Sequence, residues 1–553
     1  MPPCAGVLAQ LVDMGLLDWI GLGLTLVAAG YYGWIRLRFF LHVLQLEGYS
    51  FGFYRKWLAE HRTRVLTPTD LGMALLALGA WWTPRPEVAL LVGAGLSAYW
   101  ISRAPLYRRS RQKKPLVYTW RLRRLLSVSA LLLLLTSALV PLGQALLGLA
   151  PYWGTWLPGL HGALLAIPAL VYGAAWLLKP LEHRIQEGFK RRARAKLADA
   201  AELLVIGITG SYGKTSTKFI LAELLKSRFH VLATPGSYNT PMGICKVINE
   251  QLSPHHQVLI LEMGARYPGN IRELCAIARP RIGVLTALGV AHLETFGSVE
   301  AIRRTKYELI EALPEGGMAV FNVDYPALAE DAARTRHVVV RTVSSTRPEA
   351  DYVAREIRYG PWGTEFELLE SATGVAHTLR TRLLGRHNVT NILLAVAVAR
   401  HLGVEMEAIR RAVARLEPVP HRLQLIERDG VYIIDDAFNS NPVGARNALE
   451  ILGQFRTGRR FVVTPGMVEL GPEEASFNRE LGRIIAQNAD EVLLIGSKRA
   501  QPIREGLEEV GFPKKRVRVF RNLFEANEHL RQRLRPGDVV LYENDLPDIH
   551  EEP

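Results

Sequence analysis

Residues Leu203-Leu204-Val205-Ile206-Gly207-Ile208 run directly into Thr209-Gly210-Ser211-Tyr212-Gly213-Lys214-Thr215-Ser216. The first six form a short unbroken apolar run, as expected of a strand buried on both faces. The glycines let backbone N–H groups turn toward an anion. The helix read over Thr217–Lys226 adds partial positive charge at the same point. Lys214 then reaches the β- and γ-phosphates of a nucleotide, and the Thr215 hydroxyl faces Mg²⁺. Gly210, Ser211, Gly213, Lys214, Thr215 and Ser216 are therefore candidate phosphate-binding residues. The spacing is G-x-x-G-K-T. Ile208 stands where the commoner G-x-x-x-x-G-K-[ST] loop begins with glycine.

Downstream, β-rich runs at Val258–Leu261, Ile282–Thr286 and Ala319–Val323 alternate with helical stretches, which predicts a parallel α/β sheet. Residues 350–385 read as short antiparallel strands, followed by a helix around 388–402. A second alternation begins at Val431, with strands predicted at Val431–Ile434, Phe461–Thr464, Val492–Ile495 and Val539–Tyr542. The soluble part divides near Pro418–Arg422.

Upstream, the texture is different. Trp19 to Ile35 carries no charge, and Leu125–Leu149 and Leu157–Leu178 are each long enough to span a bilayer. Leu71–Trp82 and Val88–Ser102 are shorter and read as two short spans or a re-entrant hairpin. The basic residues lie in segments 36–68, 103–124 and 179–196, while the alternate connections hold only Arg85. By the positive-inside rule the N-terminus is out and everything after 179 is in. The lack of Lys or Arg before Arg36 argues against a cleaved signal peptide. The basic loops either bind anionic lipid or only set topology.

The chain has 553 residues, is 49% hydrophobic and carries a net charge of +14. Residues 1–200 hold 23 Lys/Arg against 9 Asp/Glu, and the rest holds 44 of each sign, so the excess belongs to the apolar part and does not indicate nucleic-acid binding. Cys4, Cys245 and Cys275 form neither a disulfide framework nor a C-x-x-C zinc site. The domains read as 1–180 transmembrane, with about five helices; 181–200 basic linker; 201–420 P-loop ATP-binding domain; and 421–553 Rossmann-like α/β domain. The expected location is the cytoplasmic membrane, multi-pass, with the catalytic domains on the cytoplasmic side.

The short phosphate-loop spacing resembles the Mur ligases and folylpolyglutamate synthetases, ATP-dependent amide ligases. Further motifs fit them in order: Leu261-Glu262-Met263-Gly264-Ala265; Gly289-Val290-Ala291-His292-Leu293-Glu294, with Val290 for a proline; and Gly385-Arg386-His387-Asn388-Val389-Thr390-Asn391. Asp435-Asp436-Ala437-Phe438-Asn439-Ser440-Asn441-Pro442 and Val468-Glu469-Leu470-Gly471 are similar to one branch, the enzymes adding D-alanyl-D-alanine to UDP-MurNAc-tripeptide.

The resemblance implies an acyl-phosphate mechanism, with ATP and two Mg²⁺ ions as cofactors. It implies Lys214 on the γ-phosphate and Thr215 with Glu262 on one Mg²⁺. His292 would ligate the second ion. Alone, Lys306 in Thr305-Lys306-Tyr307-Glu308-Leu309 reads as a solvated helix lysine. The resemblance implies that it is carbamylated, catalytic and metal-binding. Asn388 and Asn391, one turn apart, would face the nucleotide or Mg²⁺ environment. Arg422 would contact ATP phosphate and Asp436 the ribose, both from the second domain, so that closure completes the site. Asn239-Thr240-Pro241-Met242-Gly243 would face the acceptor.

Two departures concern the substrates. Membrane helices replace the family's uridine-diphosphate-gripping domain, and Val540 to Asp548 replaces a K-G-S-R-type stretch. Three functions therefore stand: the D-alanyl-D-alanine-adding ligase of peptidoglycan precursor synthesis; a ligase using a lipid-linked acceptor or making a γ-polyglutamate-type polymer; or a nucleotide-gated P-loop ATPase of a membrane assembly.

Overall fold

A computed structural model of the protein describes residues 15–83, 85–108, 115–147, 152–289, 293–360, 363–418, 421, 423–437, 440–468, 470–497 and 499–544. The chain forms two units, divided between Ile185 and Gln186.

The first unit is helical. Its helices are α1 (Leu16–Leu46), α2 (Phe51–Glu60), α3 (Pro68–Trp82), α4 (Pro86–Arg103), α5 (Trp120–Leu146), α6 (Leu157–Leu165) and α7 (Ile167–Ala198), the last running on past the division. Among the described residues, α1 and Trp120–Gln144 of α5 are long and apolar enough to cross a membrane. Trp153–Leu165 and Ile167–Ala198 make a third candidate, bent by 62°. By length and composition, then, two or three segments qualify, where about five were expected with Leu71–Ser102 left as two short spans or a re-entrant hairpin. At 15 residues, α3 is roughly 22 Å long, short of a hydrocarbon core of about 30 Å. The expected single span over Leu157–Leu178 breaks at Ala166, because Pro168 lacks an N–H and its ring opposes the Leu164 carbonyl. The stretch 181–200, read as a linker, is helical through Ala198.

Arg36, counted among the loop cations, is instead a wholly buried residue of α1. Its guanidinium donates to Tyr32 Oη (2.8 Å) and the Val65 carbonyl (2.6 Å), and it sits 5.3 Å from the Tyr107 ring centroid. Such pairing offsets part of the cost of burying a cation in an apolar bundle. Leu16, Leu24 and Val27 of α1 and Leu134 and Leu139 of α5 are exposed. α1 therefore turns apolar surface outward at its start and packs inward at its end.

The second unit holds two sheets. The larger has the order β2-β3-β1-β4-β5-β6-β7-β8-β9. Its strands are β1 (Leu204–Thr209), β2 (Val231–Ala233), β3 (Val258–Glu262), β4 (Ile282–Leu285), β5 (Met318–Asn322), β6 (Val339–Ser344), β7 (Tyr352–Gly360), β8 (Gly363–Glu370) and β9 (Val375–Thr381). Pairing is parallel up to β7 and antiparallel from β7 to β9. The helices are α8 (Lys214–Leu225), α9 (Pro241–Gln251), α10 (Asn270–Ala278), α11 (Val299–Glu311), α12 (Pro326–Arg334), α13 (Arg386–His401) and α14 (Met406–Ala414). Asn388 to Ala399 of α13 is buried throughout, which explains its apolar surface on every side.

β1 lies between β3 and β4, and the chain goes first to one side of β1 and then to the other. The end of β1 is thus a topological switch point, where open α/β sheets leave a crevice for ligands.

The smaller sheet has the order β10-β11-β15-β12-β13-β14, with β10 (Gln424–Arg428), β11 (Val431–Asp436), β12 (Arg460–Thr464), β13 (Glu491–Ile495), β14 (Val517–Phe520) and β15 (Val539–Glu543). Only β10 pairs antiparallel. Helices α15 (Pro442–Leu452), α16 (Glu474–Asn488), α17 (Ala500–Glu509) and α18 (Leu523–Arg531) complete it.

Candidate active site

A cavity of about 690 Å³ opens at the end of β1 and is lined from both sheets of the second unit. Gly210, Ser211, Gly213, Lys214, Thr215, Ser216, Glu262, Lys306, Asn388, Asn391 and Asp436 all border it. His292 and Arg422 lie outside the described residues.

The loop between β1 and α8 is fixed by its surroundings. Ser211 N donates to the Ala287 carbonyl (2.8 Å), and Ser211 Oγ is 3.0 Å from both Gly289 O and Gly289 N. Gly213 has φ +78°, and a Cβ there would meet Asn391 Oδ1 at 2.6 Å. Gly213→Ala therefore adds left-handed strain to a clash with a buried amide. A loss of at least about tenfold in nucleotide affinity is expected, roughly 1.4 kcal/mol, read by calorimetric ADP titration. Unchanged affinity would mean that the loop readily rearranges.

Lys214 Nζ rests on the Gly210 carbonyl (2.8 Å) and lies 3.4 Å from Ser211 O. Thr215 Oγ1 donates to Glu262 Oε2 (2.9 Å), and Asn239 Nδ2 to Glu262 Oε1 (3.0 Å). Burial alone would raise the Glu262 carboxyl. Lys214 and Lys218, with the two hydrogen bonds, outweigh it and hold the group below its ordinary range. A threonine hydroxyl beside a charged carboxylate is the hard oxygen set Mg²⁺ takes when phosphate oxygens complete its shell. No cluster of three or more His, Cys, Asp or Glu side chains suited to a metal occurs among the described residues.

Lys306, on α11, is only 5% exposed, so it is not a solvated helix lysine. Burial first, and the Lys214 charge second, push its amine well below the ordinary lysine range. Asn388 Nδ2 donates to the Leu384 carbonyl (2.9 Å), and Asn391 Oδ1 accepts from Thr217 Oγ1 (3.1 Å). Beside them, burial lowers the His387 ring to about 4, which keeps it neutral. From the smaller sheet, Asp436 ends β11 and accepts from Leu423 N at 3.0 Å. Its register partner on β15 is Glu543, which receives the Ser440 hydroxyl at 2.6 Å.

A strand-end phosphate loop, a carboxylate held by its threonine and a second α/β sheet closing the cavity accord with the comparisons. The Mur ligase middle domain matches residues 208–399, and the Mur ligase glutamate ligase domain matches residues 421–542. A UDP-N-acetylmuramoyl-tripeptide–D-alanyl-D-alanine ligase of Mycobacterium tuberculosis is 37% identical over 385 residues, 63% of this chain and 73% of that one. The protein of the same name from Escherichia coli is 30% identical over 339 residues, covering 59% and 73%.

The chain belongs to the Mur ligase family. Its members are ATP-dependent, ADP-forming ligases that use Mg²⁺. A MurF ligase of Thermotoga maritima, solved in complex with ADP, superposes with a TM-score of 0.58 at 31% identity, covering 65% of this chain and 80% of that one. MurF of Acinetobacter baumannii gives 0.59 at 27%, covering 66% and 78%. In this Mur ligase, sequence reasoning missed Lys218, Ser440 and Glu543. A signal existed for Lys218, which falls one helical turn after Lys214.

Proposed function

We propose that the chain joins D-alanyl-D-alanine to UDP-MurNAc-tripeptide at the expense of ATP, completing the peptide of the cytoplasmic peptidoglycan precursor. The observation that carries this reading is the single cavity that gathers Lys214, Glu262, Lys306 and Asp436, in a chain 37% identical to a protein of that name. A plain ATPase has no need of this set, and membership of a ligase family removes that alternative.

The amides of Gly210 to Ser216 receive the phosphates, and Lys214 turns from its carbonyl rests to the γ-phosphoryl. Thr215 and Glu262 would hold Mg²⁺, which supplies charge neutralisation between phosphate oxygens and the acceptor carboxylate. A carboxylate oxygen of the tripeptide attacks the γ-phosphorus, and ADP leaves. The neutral amine of the dipeptide then attacks the acyl carbon. Phosphate departs, and the nitrogen gives up one proton as the amide forms. Asn388 and Asn391 border the nucleotide, Asp436 takes the ribose and Arg422 a phosphate, so approach of the smaller sheet gates turnover. His292 would serve a second Mg²⁺. Lys306, buried and with its amine pushed toward the neutral form, is suited to take up CO₂ as a carbamate.

The first unit anchors the enzyme in the cytoplasmic membrane, N-terminus out. The exposed apolar faces of α1 and α5 support this, as does the aromatic and basic pair Trp120–Arg123 at the start of α5. The full chain should therefore stay in the membrane pellet through an alkaline carbonate wash and dissolve only with detergent. Release by carbonate would exclude spanning helices.

A second reading, a lipid-linked acceptor, is favoured by the same apolar helices. Phosphate release by the detergent-purified enzyme with Mg-ATP separates the two. Product with UDP-MurNAc-tripeptide and D-alanyl-D-alanine supports the first reading. Product only with a lipid-linked acceptor overturns it.

A further inference from the structure

Two lysines stand one turn apart on α8, and they face different surroundings. Lys214 borders the cavity and rests on loop carbonyls, from which a phosphate can draw it away. Lys218 does not border the cavity, and its side chain is wholly buried. Its Nζ lies 3.3 Å from Glu262 Oε2, donates to the Gly236 carbonyl, and sits 4.4 Å from the Phe219 ring centroid. Glu262 is itself 1% exposed. The backbone N–H of Glu262 donates to Thr234 Oγ1 (3.2 Å), and its Oε1 accepts from Asn239 (3.0 Å). The segment 234–239 thus meets Glu262 at its backbone N–H through Thr234 and at its carboxylate through Asn239, and Lys218 fastens the middle of that segment at Gly236.

A buried ammonium is expensive to desolvate and is tolerated when a buried partner takes its charge. When nucleotide takes Lys214, Lys218 stays beside Glu262. We propose that Lys218 is a positioning residue of the metal site. It is a fixed internal counter-ion that keeps Glu262 aimed, and it ties the 234–239 segment to that carboxylate through Gly236. This rests on the reading of Glu262 as a Mg²⁺ ligand.

The test is a cycle of the full-length enzyme, Lys218→Met, Glu262→Gln and the double variant. Two quantities are read: melting temperature, and the Mn²⁺ affinity of the enzyme–ADP complex by electron paramagnetic resonance. Lys218→Met should weaken Mn²⁺ by about tenfold or more while leaving metal-free ADP affinity unchanged. The double variant should melt above either single variant, since no charge is left unpaired. If Lys218→Met fails to fold alone, a double variant that folds supports the proposal, and one that does not overturns it. Losses in melting temperature that simply add, or unchanged Mn²⁺ affinity in Lys218→Met, also overturn it. Should Glu262→Gln itself leave Mn²⁺ binding intact, the metal reading fails, and the melting data still decide the tie between the two side chains.

Discussion

Lys306→Ala is expected to fold, to bind ADP within about twofold of the parent, and to lose at least about a hundredfold in kcat. An ordinary lysine is almost entirely protonated at neutral pH. The interior position of Lys306 and the Lys214 charge favour its neutral form, which has the lone pair needed to attack CO₂. In the proposed carbamylation the nitrogen would lose a proton as the N–C bond forms, and the site would gain an anion. Lys306→Arg keeps a cation and cannot make this change, so it should be as inactive as the alanine variant. Lys306→Glu returns a carboxylate nearby and should recover part of the activity. Labelling with ¹³C-bicarbonate should give a carbamate resonance that Lys306→Ala lacks. A fully active Lys306→Arg enzyme, indifferent to bicarbonate, would sink the carbamate role.

Lys214→Met should cost about a hundred- to a thousandfold in kcat, the usual consequence of removing one group that stabilises developing charge. A second effect separates this residue from a simple phosphate contact. The Lys214 charge lowers the pKa of both Glu262 and Lys306. Without it, Glu262 keeps its proton to higher pH, and Lys306 needs higher pH to become neutral. The rising, acid-side limb of the residual pH–activity profile should therefore move upward. A profile that only loses height would show that Lys214 acts on the nucleotide alone.

Much of this machinery is legible in the sequence because it depends on local order. The apolar run before Gly210, the glycines and Lys214-Thr215 specify strand, turn and helix within fifteen residues. Glu262 ends a strand whose five residues are all buried, which is why it reads as an unbroken apolar run. Three-residue β2 leaves too short a pattern to detect, and β14 exposes both of its central residues, so no apolar run marks it. The first unit misled in another way. Hydropathy sums over Leu157–Leu178 take no account of Pro168, so one span was expected where the chain bends. Lys306 and Lys218 resisted reading for a third reason. A lysine on a helix looks solvated until tertiary packing is known, and here both side chains turn inward, with Lys306 on the cavity wall and Lys218 behind it. Glu543 is unreadable for the same reason, since its proximity to Asp436 spans more than a hundred residues of chain.

The place of β15 has a consequence for biosynthesis. This strand follows all the others in the chain yet lies between β11 and β12. Until it is made, β11 has no parallel neighbour, and Asp436 at its end lacks the strand that holds Glu543 beside it. A polypeptide interrupted before Val539 would carry a finished phosphate loop but an open cavity wall at Asp436 and two bare strand edges, which invite association with other chains. The ability to grip nucleotide between both sheets thus reports that synthesis has passed β15. A truncated product should be inert, prone to aggregation and exposed to proteolysis, so that it does not persist as a competitor for ATP.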